Sequence, residues 1–213
     1  QDISQAIVEE GTTPYSILNY RSFRNNPSNL KTGGEGTNYG LDLTMEKFMD
    51  EGFYYLLTAS LYKSQYKGSD NEQRPTANDG NFLTNLVFGK EIELWKDRSD
   101  KSTKTFLVLD GKVAYAGGKH YTPIDENASR QSNEVKYQTD QAYSDQFKNY
   151  FRADLRTALK INSENITQEF AIDVQNITDH QNPLKRNFNK ASSEVETIYQ
   201  TGILPVAQYK IQF

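Results

Sequence analysis

The sequence predicts an all-β chain: an antiparallel, transmembrane β-barrel segment of about seven strands. Three observations predict it. The chain ends on an aromatic inside a strand pattern, where Ile203, Ala207, Tyr209, Ile211 and Phe213 fall on one face and Gln208, Lys210 and Gln212 on the other. That period of two is strand geometry, apolar toward one medium and polar toward another. Several upstream stretches alternate in the same way, and the connections between them are alternately short and long, as in outer-membrane barrels.

The elements follow in order. Tyr39, Leu41, Leu43 and Met45 oppose Gly40, Asp42, Thr44 and Glu46. Tyr55, Leu57, Ala59 and Leu61 oppose Thr58, Ser60 and Tyr62. Asn81 to Leu94 carries Leu86, Phe88 and Ile92 on one face, interrupted by Lys90. Leu107, Leu109, Val113 and Tyr115 alternate with Val108, Asp110, Lys112 and Ala114. The strongest signal is Phe151, Ala153, Leu155, Thr157, Leu159 and Ile161 against Arg152, Asp154, Arg156, Ala158 and Lys160. Phe170, Ile172 and Val174 then oppose Glu169, Ala171, Asp173 and Gln175, and the last strand lies within Glu196 to Phe213.

Asp50 to Gly52 and Asn162 to Ile166 read as tight turns, and Lys96 to Thr103, next to the lone Trp95, as a moderate connection. Lys67 to Asn78, Gly118 to Phe147 and Thr178 to Val195 are long. With the terminus on the periplasmic side, every short connection falls there and every long one outside. Residues 1–37 are then expected as an extracellular loop, with strands and loops over 38–213. An odd strand count with the first residue outside does not close a standard barrel, so the chain reads as the C-terminal portion of something larger.

Composition agrees. Hydrophobic residues make up 36% of the 213, and no run approaches the ~20 apolar residues of a membrane helix. The 14 tyrosines and 11 phenylalanines suit strands and membrane interfaces. A net charge of −4 leaves no basic footprint for nucleic acid. With no cysteine and only two histidines, thiol chemistry and multi-histidine metal clusters are excluded within this chain. No nucleophile elbow, phosphate-cradling loop or paired catalytic carboxylates emerge, so neither an enzyme nor a cofactor is expected.

Four runs carry a family resemblance. They are Asn38–Phe48 (Asn-Tyr-Gly-Leu-Asp-Leu-Thr-Met-Glu-Lys-Phe), Tyr115–Asp125 (Tyr-Ala-Gly-Gly-Lys-His-Tyr-Thr-Pro-Ile-Asp), Tyr150–Arg156 (Tyr-Phe-Arg-Ala-Asp-Leu-Arg) and Asp173–Asp179 (Asp-Val-Gln-Asn-Ile-Thr-Asp). In this order, with the terminal aromatic, the chain from about Asn38 to Phe213 resembles the late barrel strands of TonB-dependent outer-membrane receptors. The type is the Bacteroidetes one with a carboxypeptidase-regulatory-like N-terminal domain. The resemblance implies a 22-stranded barrel with a plugged lumen and uptake of a scarce nutrient, energised through TonB. It also implies outer-membrane lipid, the remaining strands and plug of the receptor, the barrel-assembly machinery and a surface lipoprotein as partners. Neither the plug nor a TonB-contacting segment is present in this sequence.

The resemblance assigns Tyr209, Ile211 and Phe213 to the terminal assembly signal, beside which stands the plainer reading of an ordinary lipid-facing strand. The Gly118–Phe147 connection holds the candidate ligand contacts His120, Tyr121, Asp125, Glu126, Arg130 and Tyr137, because binding residues favour long exposed loops. The simpler reading is a solvated loop. Arg152, Asp154, Arg156 and Lys160 would face the lumen, either against a plug or as a hydrated wall. Two other readings stay open: a passive porin or structural barrel, and a secreted β-sandwich that binds glycans and buries Phe151, Leu155, Leu159, Phe170, Ile172 and Val174 between two sheets.

Overall fold

The computed structural model describes residues 2–22, 29–95 and 103–213, and it is all-β. In chain order the strands are β1 (Asp2–Glu9), β2 (Leu30–Asp50), β3 (Phe53–Lys67), β4 (Gln73–Pro75), β5 (Phe82–Leu94), β6 (Lys104–Ala116), β7 (His120–Tyr121), β8 (Asp145–Gln146), β9 (Tyr150–Asn162), β10 (Thr167–Gln175), β11 (Pro183–Asn189), β12 (Glu194–Tyr199) and β13 (Leu204–Gln212). One short helix, α1, spans Glu126–Ser132. A single antiparallel sheet runs β1-β2-β3-β5-β6-β9-β10-β13, with β4 paired to the upper end of β3. It is open, its path ending at β1 and at β13. Two small two-stranded sheets, β7–β8 and β11–β12, stand apart from it.

Neighbours in sequence pair with neighbours in space throughout, so the sheet is an up-and-down meander. Glu51 and Gly52 join β2 to β3 with φ of 48° and 72°; two such residues give the turn whose twist matches that of the flanking strands. Ser163 N donates to Ile166 O in the turn between β9 and β10. The third connection at this end, between β5 and β6, lies mostly in 96–102, outside the described residues. The opposite end carries 68–81, 117–149 and 176–203. The alternation of short and long connections expected from the sequence is therefore present.

Two expectations change. Residues 1–37 are not all loop: they contain β1 and the first part of β2, paired from Asp2↔Thr37 to Glu9↔Leu30. The pattern was hidden because Gln5 sits at φ 64° and the register shifts on either side of Ala6, which breaks the period of two. The terminal strand is shorter than the Glu196–Phe213 alternation. Residues 194–199 form β12 against β11, and residues 200–203 belong to no strand, with Ile203 N donating to Asp179 Oδ1 at 3.1 Å.

Directly opposed residues share a face, so the register sorts the side chains. One face carries Leu41, Leu43 and Met45; Phe53, Tyr55, Leu57 and Leu61; Leu86, Phe88 and Ile92; Leu107, Leu109, Val113 and Tyr115; Phe151, Leu155 and Leu159; Phe170 and Ile172; Tyr209 and Ile211. The other carries Asp42 and Glu46, Tyr54, Glu91, Asp110 and Lys112, Arg152 to Lys160 in alternation, Glu169, Asp173, Gln208 and Lys210. Two glycines let rings lie flat across the pleat: Phe88 covers Gly111 on the apolar face and Tyr54 covers Gly89 on the polar one, each where a Cβ would meet the ring.

Burial on this sheet is inverted relative to a soluble domain. The apolar face is bare, with Leu41 77%, Ile172 55% and Phe170 49% exposed. The apolar cluster within the sheet lies on the polar face: Val108, Ala158 and Ala171 are buried there, with Phe106 packed against them. Arg156 flanks this cluster on β9, and Lys160 holds its Nζ 5.9 Å from the Phe106 ring. Long basic side chains cover apolar ground with their stems while their heads stay polar.

Candidate functional site: the charged wall and the loop cap

The charged wall centres on Arg156. Its Nη1 donates to Asp173 Oδ2 at 2.9 Å and to Gln208 Oε1 at 3.2 Å, its Nη2 donates to Glu169, and its Nε lies 3.9 Å from Asp110 Oδ2. Asp110 also accepts from the Tyr54 hydroxyl at 3.0 Å. One guanidinium thus neutralises carboxylates from β6 and β10, as its planar fork permits. Arg152 Nε donates to Asp154 Oδ1 at 2.7 Å and its Nη2 to Gln175 Oε1 at 3.0 Å. Lys160 Nζ meets Glu91 Oε1 at 3.2 Å.

All four residues read from the sequence as lumen-facing (Arg152, Asp154, Arg156 and Lys160) lie on one face, in three separate sets of ion pairs: Arg152 with Asp154, Arg156 with Asp110, Glu169 and Asp173, and Lys160 with Glu91. Sequence reasoning missed Tyr54 and Glu91, whereas Gln208 stood on the polar row of the terminal strand. Asp110, Glu169 and Asp173 already stood on polar rows, but which base they would meet depends on register.

The opposite, long-connection end is a folded cap. Tyr66, Ala142 and Tyr143 are buried together, with Leu18 and Ala77 against them. The Tyr66 and Tyr143 rings meet edge-on at 6.0 Å and 87°. Tyr143 Oη donates to Asn19 O at 2.8 Å, and Ala77 N donates to Asn19 Oδ1 at 3.0 Å. Asn19 therefore ties three segments: the one after β1, the β3–β5 connection and the β6–β9 connection. Arg74, nearly buried, pairs with Asp70 at 2.8 Å and Glu72 at 2.7 Å. The third long connection is anchored by Asn182. Its Oδ1 accepts from Phe151 N at 2.9 Å and its Nδ2 donates to Phe151 O at 2.7 Å, standing in for a paired strand.

The candidate ligand contacts of the 118–147 connection all have structural partners. Asp125 caps α1 by accepting from Ala128 N at 2.9 Å, a normal N-cap role. Glu126 pairs with Arg130, whose Nε donates to Ser193 O at 2.7 Å and so links two long connections. His120 Nδ1 lies 3.1 Å from Tyr143 O. Tyr121 stacks on Phe147 at 4.2 Å, and Tyr137 bridges Ile124. The geometry brings them into one cap without converging them on a common point.

Burial raises the Tyr66 hydroxyl well above its ordinary pKa of 10.0, and the neighbouring Tyr143 adds to the rise against the opposing effects of Asn19 and Arg74. A hydroxyl held neutral in the fold and free to ionise when unfolded gives stability that is full below pH 10. That stability is lost as pH climbs from there through the higher folded value. We predict that raising pH above 10 opens the cap before the sheet, seen as faster proteolysis within 117–149. Tyr66→Phe should remove the dependence; cleavage unchanged by pH in the parent chain would contradict it.

Tyr209 and Ile211 share one face of the exposed edge strand β13, and Phe213, 93% exposed, follows directly after its last residue. Tyr209 stacks near Phe170 at 4.7 Å and donates to Gln168 Oε1 at 3.0 Å. Among the described residues no group of histidine, aspartate and glutamate side chains is arranged to hold a metal, and no helix is long and apolar enough to cross a membrane, which says nothing of strands. No protein-family model, no curated protein and no solved structure matches this chain.

Proposed function

We propose that this sheet is a section of the wall of an outer-membrane β-barrel, its apolar face in lipid and its charged face toward a wet lumen. We further propose that the barrel is a TonB-dependent receptor taking up a scarce nutrient. The observation that carries the wall reading is the inverted burial of the sheet, apolar side chains bare and charges paired across the other face. A secreted sandwich would cover Leu155, Leu159, Phe170 and Ile172 with a second layer, and these four are 37–55% exposed.

Band height and girdles support it. From Phe151 to Ile161 the strand rises ~33 Å at ~3.3 Å per residue, which a tilt of ~40° turns into ~25 Å, the height of a barrel's apolar band. At its long-connection end Phe82, Tyr115 and Phe151 form a row on three adjacent strands, with ring separations of 5.0 Å and 6.4 Å. At the short end stand Phe53 with Tyr55 and Phe170 with Tyr209. Lys90, which interrupts the apolar face, reaches the turn and donates to Glu51 O at 2.8 Å. That is snorkelling to an interface. The transport assignment rests on the four sequence runs described above.

The test is flotation. The chain refolded with phosphatidylcholine vesicles is expected to float with them and resist alkaline extraction, and Phe213→Ser is expected to reach the membrane several-fold less when delivered by the barrel-assembly machinery. A parent chain left wholly in the aqueous fraction would remove the proposal.

A further inference from the structure

Tyr143 is fully buried, and its φ is 59°. A bulky residue at positive φ is a backbone outlier that persists only where its surroundings hold it. Contacts from distant segments hold this one. Its hydroxyl donates to Asn19 O at 2.8 Å, its amide donates to Thr122 Oγ1 at 3.2 Å, and its carbonyl lies 3.1 Å from His120 Nδ1. Its ring meets Tyr66 edge-on, and Tyr66 stands in the polar-face row of β3. One strained residue therefore fastens the 117–149 connection to the segment after β1 and to the lumen side of the sheet.

The same contact leaves polar atoms unserved. Asn19 Nδ2 and the Tyr66 hydroxyl are buried and make no hydrogen bond among the described residues. Asn19 is close enough to oppose the rise in the Tyr66 pKa, yet neither atom completes a bond. A buried polar group without a partner costs its lost hydration, and both atoms regain water once the contact parts. The third such side-chain atom, Asn162 Oδ1, lies at the far end of β9.

We infer that the cap is a gate poised to open as a unit over a folded sheet, with Tyr143 as its latch. Closure buries Tyr66, Ala142 and Tyr143 together and makes the bonds to Asn19, Thr122 and His120. Opening frees Tyr143 from its outlying backbone conformation, hydrates Asn19 Nδ2 and the Tyr66 hydroxyl, and uncovers the polar face to solutes. The place of the gate, at the outer mouth of a lumen, rests on the barrel-wall reading. Its opening does not.

With no native cysteine in the chain, a single thiol reports local opening. Ala142→Cys places it in the cap and Ala171→Cys in the sheet, at positions 3% and 5% exposed. In the detergent-bound chain a water-soluble maleimide is expected to label position 142 about tenfold faster than 171, or more. Tyr66→Phe, added to the Ala142→Cys chain, is expected to slow that labelling about tenfold, because it deletes an orphan hydroxyl and keeps the ring. Tyr143→Phe is expected to speed it by about the same factor, because Asn19 O loses its donor. Equal labelling at 142 and 171, or a Tyr66→Phe chain labelled as fast as its parent or faster, would overturn the inference. Flotation, read separately, keeps the two claims apart. A chain that floats but labels equally at both positions retains the wall and loses the latch. The expected labelling in a chain that does not float retains the latch and loses the mouth.

Discussion

Leu155→Arg is expected to destabilise the vesicle-inserted chain by about 2–4 kcal/mol, the cost of a cation at the middle of a barrel's lipid face. Leu155 sits midway along the apolar row of β9, opposite Val174 and Gly111, and is 45% exposed. For a side chain so open, exchange to arginine in water should change little, within about 0.5 kcal/mol for an ordinary surface site. The same substitution at Ile161, at the end of the row, should cost only about 0–1 kcal/mol in the bilayer. Urea unfolding from vesicles measures all three. The depth dependence is the signature, and a flat profile along β9 would speak against lipid contact.

Arg156→Met is expected to cost about 2–3 kcal/mol, below the 3–5 kcal/mol of a fully buried broken pair, because the guanidinium is 26% exposed and water offsets part of the loss. The methionine stem would still lie beside Ala158 and Ala171, so the loss would be electrostatic rather than a cavity. What remains is Asp110, Glu169 and Asp173 facing one another with Gln208 unbonded. Arg156→Lys should recover part of it, since an ammonium keeps the charge but cannot serve four acceptors with a planar fork. Added salt should narrow the gap between parent and Met variant by screening the carboxylates. A Met variant as stable as the parent would show that the network contributes nothing.

The strands that pair over long uninterrupted alternations were legible in the sequence, along with their faces and the lopsided connections. Phe151 to Ile161 is the clearest, because its polar row carries four charges. Strand β1 was not legible, since Gln5 and the bulges around Ala6 cancel the alternation, and neither was Leu30–Thr37, where Gly33, Gly34 and Gly36 carry no side chain to show a face. The hairpin β11–β12 was absorbed into a loop and into the terminal strand because Glu194–Tyr199 alternates much as β13 does. The strand-free residues 200–203, held by the bond from Ile203 N to Asp179 Oδ1, separate them. The four basic and acidic members of the β9 row were readable as one face. Their partners were not, because pairing Arg156 with Asp110 and Asp173 requires the register of three strands. The cap is the least legible part: Asn19, Tyr66 and Tyr143 lie far apart in sequence and meet only through tertiary packing.

Lipid contact along β9 tests the central claim most directly. The chain has no native cysteine, so single cysteines at each position from Ala153 to Ile161 can carry a fluorophore, with a quencher attached to the lipid acyl chains. Strong quenching at 153, 155, 157, 159 and 161 with weak quenching at 154, 156, 158 and 160 is the expected result. Quenching that is absent throughout, or equal at odd and even positions, would contradict a sheet with one face in hydrocarbon.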